Sequence, residues 1–531
     1  MASESINSSR GEFQARGQQD SADDSVPHAA RGASATPAPM SWFPLGYREG
    51  FSQWWSSIPA AAAEHRVLSY LPYLQHQPPT HLQTGKTTNG GSGESGGLQS
   101  ADQSQQSEVA ANSFDDPYGP RRWLSSMVQL SGKNRALNEF SVERVGEEAD
   151  QHLVMLHGYG AGLGFFYKNF EPLSRLRGWQ LHALDLLGMG RSTRPPFRIK
   201  AKDREDAIRE AEDWFVDALE EWRVKRKIER FTLLGHSLGG YIAVNYALKY
   251  PGRINKLILA SPVGIPEDPY AVTAEMPSKQ DQAAIAADAT AVPPGDVPKG
   301  DNNILLRGPP ADASSSGDRP PRRTIPKWFA YLWDANVSPF SLIRWAGPLG
   351  PRLVSGWTSR RFSHLPADEA KALHDYSYSI FSMRGSGEYA LAYILAPGAF
   401  ARSPLIRRIE GVGRQMIPDS VPPFPSSSSP SGPTNTDQPR RETGLPVVFL
   451  YGDHDWMDYK GGMAAASKII KEKRRILENA TSEEREADNG SAKVIMIKNS
   501  GHHVYLDGWE QFNDAVLSEM DEVAKKERSK L

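Results

Sequence analysis

A serine, an acid and a histidine occur in this chain in an order that suits acyl transfer. Ser237 lies in the run Gly235-His236-Ser237-Leu238-Gly239, where two glycines allow a tight turn that exposes a serine hydroxyl. A serine alcohol is a poor nucleophile at neutral pH unless an imidazole removes its proton and a carboxylate fixes the imidazole tautomer. His502 and Asp455 lie downstream and are the predicted base and acid. These residue types indicate nucleophilic attack on an acyl carbonyl.

Three aspartates compete for the role of the acid. Asp455 stands three residues after Gly452, at the end of a predicted strand, and this spacing favours it. Asp458 is the alternative acid. Asp453 is interpreted as part of the loop structure. The choice matters because only a carboxylate that reaches the imidazole can fix its tautomer.

The histidines are also divided by position. His502 directly follows Gly501 in the run Gly501-His502-His503, which favours it as the base. His503 is interpreted as a pocket or support residue. His157, which lies far upstream, is interpreted as a residue that orders its own loop.

Two backbone amides are predicted to stabilise the oxyanion of the reaction. The run His157-Gly158-Tyr159-Gly160 directly follows a predicted strand, where the amide of Tyr159 can point at the reacting carbonyl. The amide of Leu238 opens the helix after Ser237, and a helix N-terminus favours negative charge. We therefore predict Leu238 and Tyr159 as the oxyanion donors.

Short apolar runs, each followed by a helical pattern, must position these residues. Such alternation predicts a mostly parallel sheet covered on both faces, and the predicted Ser237, Asp455 and His502 loops then leave strand ends at one edge. The predicted fold class is α/β. Together with the G-x-S-x-G turn, this pattern resembles the α/β-hydrolase fold, which implies a mostly parallel eight-stranded sheet with an inserted helical cap. The predicted strands are residues 153–156, 180–184, 231–234, 256–259, 447–450 and 494–497.

Composition divides the chain into a folded body and low-complexity segments. Segments poor in apolar residues cannot bury enough surface to offset the entropy of ordering, so we predict disorder in them. The predicted division is 1–40 disordered, 41–75 a Trp-rich amphipathic segment, 76–117 a linker, 118–270 the first part of the core, 271–324 a disordered insertion, 325–415 the helical cap, 416–443 a disordered insertion and 444–527 the second part of the core. A short charged stretch near 480–491 is also predicted to be disordered.

Charge and residue content exclude several function classes. The net charge is −2, from 61 basic and 63 acidic residues, so the protein has no overall positive electrostatic field to hold nucleic acid. Nucleic acid is therefore not expected as a partner. The chain has no cysteine, which excludes disulfides and thiol nucleophiles. No cysteine–histidine cluster or nucleotide-binding loop occurs, so no metal and no cofactor is expected. No apolar run reaches 18 residues, and a soluble or peripheral protein is expected.

The motifs together resemble one subfamily of α/β-hydrolases. It contains N-acyl-phosphatidylethanolamine lysophospholipases, a lipid-droplet coactivator of a triglyceride lipase, and fungal mitochondrial cardiolipin-specific deacylases. Unlike the coactivator, this chain keeps a serine at the nucleophile position. The resemblance covers about 120–270 and 325–525, and it rests on the two glycine-containing runs above together with Ser261-Pro262-Val263-Gly264, Ser386-Gly387-Glu388, Tyr451-Gly452, Asp455-Trp456-Met457 and Gly501-His502-His503-Val504-Tyr505-Leu506-Asp507.

This resemblance implies a serine hydrolase that removes a fatty acyl chain from a phospholipid. Cardiolipin deacylation and acyl-chain remodelling is the leading specific case, which implies a peripheral position on the inner mitochondrial membrane; the cytoplasm or a lipid-droplet surface is the alternative. One rival is lysophosphatidic acid or lysophospholipid acyl transfer through the same acyl-enzyme, since His502 and Asp507 match an H-x-x-x-x-D motif of the subfamily. A non-enzymatic lipid-surface scaffold is the other. Asp507 itself is predicted to be the N-cap of the next helix.

An aromatic block near the N-terminus is a candidate membrane contact. Residues 42–55 contain six aromatics, and aromatic side chains with a polar edge suit a membrane interface. The predicted contacts are Trp42, Phe43, Trp54 and Trp55. The alternative is that these aromatics pack in the core. The expected partner is thus a phospholipid substrate at a membrane or lipid-droplet surface, and the sequence indicates no particular protein partner.

Overall fold

The computed structural model describes residues 44–72, 106–108, 116–267, 327–418 and 440–529, without the side chains of 106–108 and 327–330. All of them belong to one structural unit that begins at Ser41. The predicted disordered segments 1–40 and 271–324 lie outside the described residues. So do most of 76–117, most of 416–443, and the predicted membrane contacts Trp42 and Phe43.

The described residues contain one mixed sheet of nine strands in the order β1-β2-β3-β5-β4-β6-β7-β8-β9. Strands β1, β2, β3 and β5 pair in antiparallel fashion, and β5, β4, β6, β7, β8 and β9 pair in parallel. The strands are β1 Gln106–Glu108, β2 Arg121–Gln129, β3 Ala136–Arg144, β4 Gln151–Leu156, β5 Trp179–Leu184, β6 Phe231–His236, β7 Ile254–Ala260, β8 Pro446–Gly452 and β9 Ser491–Ile497.

The prediction of a mostly parallel α/β-hydrolase sheet is confirmed, with one addition. All six predicted strands are present as β4 to β9. The ninth strand, β1, is three residues long and pairs with β2 at the sheet edge. It lies within 76–117, which the sequence predicted as linker, because so short a segment carries no alternating pattern of its own.

Helices cover both faces of the sheet, so its central strands are buried along their whole length. Every residue of β6 and β7 is buried. In the sequence, Trp214, Phe215, Ala218, Leu219 and Trp222 recur at helical spacing after Asp203, which predicts a helix. This helix forms, and Asp203 caps it by accepting from the amides of Glu205 and Asp206. The helices outside the cap are α1 Tyr47–Ser56, α2 Ala60–Leu68, α3 Tyr167–Leu173, α4 Arg204–Lys225, α5 Leu238–Lys249, α11 Tyr459–Leu477, α12 Ser482–Ala487, α13 Val504–Asp507 and α14 Trp509–Arg528.

A helical cap is inserted between β7 and β8, where the strand series was predicted to be interrupted. Its second helix begins at a serine, Ser338, whose hydroxyl accepts from the Phe340 amide, with Pro339 at the first helical position. The cap helices are α6 Lys327–Asp334, α7 Pro339–Trp345, α8 Gly350–Arg361, α9 Ala367–Ser382 and α10 Leu391–Ile394, with short 3₁₀ turns at Gly347–Leu349 and Gly387–Ala390.

The N-terminal segment 44–72 contains two helices of opposite character. In α2, Ala63, Val67 and Leu68 are buried, and Leu71 follows them into the core. In α1, Gly50 is the buried residue, and its aromatics face outward. The Trp-rich amphipathic segment predicted for 41–75 is therefore one surface helix followed by one core helix.

The disorder predicted near 480–491 is wrong. Residues Ser482–Ala487 form α12, which begins with a reciprocal capping box: the Thr481 hydroxyl accepts from the Glu484 amide, and the Glu484 carboxylate accepts from the Thr481 amide. Two orphan amides are thereby satisfied, so a helix of only six residues is stable at this position despite its charged composition.

Candidate active site

Ser237 lies at a strained turn between β6 and α5. Its backbone has φ 53° and ψ −114°, in the left-handed half of the φ range that non-glycine residues rarely occupy. The turn is held from both sides: the Ser237 amide donates to Ala260 at the end of β7, and its carbonyl accepts from the amides of Tyr241 and Val263. The constraint brings the serine to the carboxyl edge of the sheet, with 9% of the residue exposed.

The glycines around Ser237 are required by close backbone packing. A methyl group on Gly235 would lie 2.3 Å from the Gly239 carbonyl oxygen, and one on Gly239 would lie 2.5 Å from the Leu156 carbonyl oxygen. Both distances are shorter than any contact a methyl group tolerates. The G-x-S-x-G pattern thus lets α5 start directly against the ends of β4 and β6.

Asp455 and His502 meet above this edge. The His502 Nδ1 lies 3.1 Å from Asp455 Oδ1, and the Asp455 side chain is fully buried. When His502 donates its Nδ1 proton to this carboxylate, its Nε2 is left as the base. The His502 ring centroid is 4.8 Å from that of His236, the residue before Ser237, and 4.6 Å from that of Trp456. The His502 ring therefore packs between the turn that carries Ser237 and the loop that carries Asp455.

The other two aspartates have different partners. Asp458 is the N-cap of α11, where it accepts from the Lys460 amide. Asp453 accepts from the Ser500 amide at 3.0 Å and so ties the acid loop to the histidine loop. Although desolvation opposes the change, backbone N–H donors lower the pKa of Asp453 to about 2. The structure brings Asp455, and neither of its neighbours, to the imidazole.

The two proposed oxyanion donors flank the serine. Leu238 is the first residue of α5, so its amide has no acceptor within the helix. Gly158 passes so close to the serine that a methyl group on it would lie 3.0 Å from the Ser237 Cβ. The next amide along the chain is that of Tyr159. The loop and the helix end therefore lie on either side of the position where a carbonyl would react.

His157 holds this loop in place, as its position suggested. Its Nδ1 donates to the Gly158 carbonyl oxygen at 2.7 Å, and its Nε2 accepts from the Leu186 amide at 3.0 Å. Burial lowers the pKa of His157 to about 4, so the ring is neutral and fixed in one tautomer at pH 7. The side chain supports the loop backbone and does not reach the reaction centre.

Two further histidines support the base. The His236 Nε2 donates to the His502 carbonyl oxygen at 2.9 Å. The His503 Nδ1 accepts from the Arg361 Nε at 2.6 Å. Burial, reinforced by nearby positive charge, holds the pKa of both His236 and His503 well below the usual value, so both are neutral. Of His236, His502 and His503, it is His502 whose ring nitrogen contacts a buried carboxylate.

The prediction that Asp507 caps a helix is wrong. Asp507 is the last residue of α13, and the next helix starts after Gly508 with no side-chain cap. The Asp507 Oδ2 accepts from the Gly501 amide at 3.2 Å, and its Oδ1 accepts from the Arg361 Nη2 at 2.8 Å. The carboxylate therefore connects the histidine loop to cap helix α8, because the one-turn helix α13 places it back over the residues that precede it.

The cap closes over the oxyanion loop with aromatic rings. Tyr159 stacks on Phe340 of α7, with centroids 4.9 Å apart, and Phe340 stacks on Phe381 of α9, with centroids 4.4 Å apart. Trp357 of α8 borders Phe381 at 6.0 Å. An apolar ceiling of this kind suits the hydrocarbon part of a substrate.

The two described candidates for membrane contact are exposed. Trp54 is 37% and Trp55 is 74% exposed, and Phe51 stacks against Trp55 with centroids 6.3 Å apart. The core-packing alternative therefore does not hold for these two tryptophans. No helix in the described part of the chain combines the length and the apolar character needed to cross a bilayer.

The sequence analysis did not identify the buried polar residues whose hydrogen bonds and ion pairs hold the loops around the site. Asp185 accepts from the Leu163 amide and from Asn138 Nδ2, both within 2.8 Å, and Glu64 of α2 pairs with Arg191 in the same buried cluster. Burial raises the pKa of Asp185 and of Glu64, which shows how costly these charges would be without their partners. Asp185 and Arg191 lie close together in the sequence, but Glu64 and Arg361 carried no signal because their partners are distant in the chain.

Comparison with known proteins identifies relatives of this chain. The model of the alpha/beta hydrolase fold matches residues 151–285. A 1-acylglycerol-3-phosphate O-acyltransferase of Arabidopsis thaliana is 31% identical over 407 residues, which cover 75% of this chain and 71% of the relative. The 1-acylglycerol-3-phosphate O-acyltransferase ABHD5 of Homo sapiens is 30% identical, covering 70% and 78%. A (lyso)-N-acylphosphatidylethanolamine lipase of Homo sapiens is 28% identical, covering 76% and 88%.

The fold and the arrangement at the strand ends define the class as α/β-hydrolase. The chain belongs, within that class, to the family that contains these acyltransferases and lipases.

Proposed function

We propose that this protein is a serine hydrolase that removes a fatty acyl chain from a phospholipid. The observation that carries the proposal is the placement of Ser237 at a strained turn directly after His236, whose ring centroid lies 4.8 Å from that of His502, while the His502 Nδ1 faces the buried Asp455 carboxylate. Relatives named as lipases and lysophosphatidate acyltransferases support a lipid substrate. The stacked aromatic rings of the cap support the binding of an acyl chain beside the oxyanion loop.

The reaction follows from these positions. The Ser237 Oγ attacks the acyl carbonyl while His502 takes its proton, and the amides of Leu238 and Tyr159 stabilise the oxyanion. Collapse of the tetrahedral intermediate breaks the bond to the lyso-lipid oxygen, which receives the proton from His502. Water, activated by the same imidazole, then attacks the acyl-enzyme and releases the fatty acid.

Cardiolipin is the specific substrate that we propose, with acyl-chain remodelling at the inner mitochondrial membrane as the setting. The support is the resemblance to fungal cardiolipin deacylases in the motifs around Ser237 and His502. Incubation of the purified protein with a mixed lipid extract, followed by mass spectrometry, is expected to show monolysocardiolipin and free fatty acid. Accumulation of other lyso-lipids without monolysocardiolipin would reject this head group while leaving deacylation in place.

Replacing the nucleophile is the direct test of the hydrolase. Ser237→Ala is expected to abolish fatty-acid release with an unchanged unfolding midpoint, because the hydroxyl contributes chemistry and little packing. Fatty-acid release and thermal unfolding are measured on the same preparation. Undiminished release by the folded variant would overturn the assignment. A lipid-surface scaffold without catalysis predicts no release by the parent protein either.

Acyl transfer is the second candidate, since several relatives carry that name. If a lyso-lipid hydroxyl resolves the acyl-enzyme in place of water, transfer to lysophosphatidic acid also requires Ser237. The contacts of Asp507 with Gly501 and Arg361 favour this view, because they give that carboxylate a supporting position away from the His502 ring nitrogens. Transfer that persists in Ser237→Ala and disappears in Asp507→Asn would show a separate acyltransferase mechanism.

A further inference from the structure

Helix α1 turns its aromatic side chains to solvent and contacts the protein through Gly50 and Gln53. Tyr47, Phe51, Trp54 and Trp55 recur at helical spacing and are exposed. On the opposite side, Gln53 donates to the Asp375 carboxylate and accepts at 3.0 Å from His374 of cap helix α9. A surface helix of a globular protein normally has the reverse orientation. The outward aromatics of α1 therefore need an apolar partner.

The cap extends this apolar surface beyond α1. Leu342 and Trp345 of α7, Leu349 of the 3₁₀ turn and Leu353 of α8 are exposed, with Trp345 at 71%. We call these four, together with the four aromatics of α1, the docking face. They account for eight of the fourteen exposed large hydrophobic side chains of the described residues. This concentration is the mark of an interaction surface, since singly scattered apolar residues need no partner.

The two parts of the docking face are held together as one surface. The Arg352 guanidinium of α8 lies 3.9 Å from the Tyr47 ring centroid, and the Leu45 amide donates to the Ser355 hydroxyl at 3.0 Å. A methyl group on Gly50 would make ordinary contact with the Arg352 Cβ at 3.6 Å, so α1 packs directly on α8. The N-terminal aromatics and the cap leucines must therefore meet a partner together.

Charge identifies the partner. Residues 327–361 contain five basic side chains and one acidic side chain, although the whole chain carries −2. Arg344 and Arg361 are neutralised by Glu388 and Asp507. Arg352 and Arg360, by contrast, form no ion pair among the described residues, and Arg360 is exposed on the same helix as Leu353. Apolar side chains with unpaired arginines at their border match an anionic lipid surface.

We propose that the docking face binds an anionic membrane surface, so that the cap itself, and not only the N-terminal tryptophans, seats the enzyme on its substrate. The proposal rests on the proposed function for its purpose. Helix α7 shows how the two are connected: Phe340 stacks inward on Tyr159 of the oxyanion loop, while Trp345 points outward. Docking through α7 brings the lipid surface to the outer side of this helix, whose inner side covers the active site.

Vesicle flotation of the full chain carrying Ser237→Ala tests the proposal without turnover, so that a lack of hydrolysis and a lack of docking are distinguishable. Trp345→Ser with Leu349→Ser leaves α1 unchanged and is expected to weaken binding about tenfold. Arg352→Gln with Arg360→Gln is expected to remove the preference for phosphatidylcholine vesicles that contain phosphatidylglycerol over pure phosphatidylcholine, also about tenfold. The matched controls, Met463→Ser with Met496→Ser and Arg177→Gln with Arg209→Gln, alter comparable exposed side chains elsewhere and should bind as the parent does.

A second measurement follows docking at one position. Because the chain has no cysteine, Leu353→Cys and Met463→Cys can each be labelled at a single site with an environment-sensitive fluorophore. Anionic vesicles should shift the emission of the label at 353 to the blue and leave the label at 463 unchanged. Equal responses at both positions, or undiminished flotation of the Trp345→Ser/Leu349→Ser variant, would overturn the proposal. A dimer in size-exclusion chromatography that this variant dissociates would show that a second copy covers the face instead.

Discussion

At the scale of single residues, identity follows from what each side chain touches. Asp455 and Asp458 are three residues apart, and the sequence left both open as the acid. In the structure Asp455 is buried against His502, whereas Asp458 caps α11. Asp458, the alternative acid, is thus a helix N-cap. The two aspartates are expected to respond very differently to replacement by asparagine.

Asp455→Asn is expected to lower kcat on a soluble short-chain ester by about four orders of magnitude, because the amide no longer fixes the productive tautomer of His502. Asp458→Asn is the matched control. Asparagine is as good an N-cap as aspartate, so this variant should keep its activity within about twofold and its unfolding midpoint. Steady-state kinetics on both purified variants make the comparison. A large loss in Asp458→Asn with a small loss in Asp455→Asn would reverse the assignment.

At the scale of elements, the catalytic loops are coupled to the cap. Arg361, at the last turn of α8, contacts His503 and Asp507, which flank the base on its C-terminal side. The Asp507 carboxylate also holds the Gly501 amide, directly before His502. These contacts connect α8 directly to the loop that carries the imidazole. The cap therefore does more than cover the site.

Asp507→Asn and Arg361→Gln are each expected to lower the free energy of unfolding by about 2 kcal/mol, since each removes a largely buried charged hydrogen bond. Both side chains are less than one fifth exposed, so solvent screening is limited. Because the two changes break the same contact, the double variant should lose clearly less than the sum. Denaturant unfolding of the two single variants and the double variant measures this. Fully additive losses would show that the pair is not energetically coupled.

At the scale of the whole molecule, the N-terminal segment belongs to the folded body. Helix α2 buries Val67 and Leu68, and its Glu64 side chain enters the polar cluster of Arg191 and Asn138. Tyr376 of the cap also donates to Glu64. Through Glu64, the N-terminal segment thus contacts both the core and the cap. Helix α1, in contrast, lies on the surface of the cap.

Two truncations separate these roles. Removal of residues 1–58 takes away α1 and is expected to lower activity on vesicles far more than on a soluble short-chain ester, with a small change in the unfolding midpoint. Removal of residues 1–72 also takes away α2 and should cost more than about 5 kcal/mol, because several buried apolar side chains and the partner of Arg191 are lost. Activity on both substrates and thermal unfolding are compared. Equal losses on both substrates for the first truncation would contradict an interface role for α1.

Patterns over short distances in the chain were sufficient to predict the sheet and the motif loops. Six apolar runs became β4 to β9, because strands of a parallel sheet covered by helices are rich in apolar residues. Asp203 was followed by the predicted helix, since capping depends on residues two and three positions away. The serine, acid and histidine loops could also be placed at one sheet edge, because each follows a strand and the carboxyl ends of parallel strands lie at the same edge.

Only the tertiary structure decided which partners the remaining side chains have. Asp507 resembled an N-cap by its place before a helical pattern, yet it pairs with Arg361, 146 residues away. Glu64 reaches Arg191 across 127 residues, and Tyr47 lies under Arg352. Contacts of this range depend on how the cap and the N-terminal helices pack on the sheet, and no local periodicity encodes that packing. The exposure of the α1 aromatics also became clear only in the structure, because a run of aromatics can be buried or exposed depending on what packs against it.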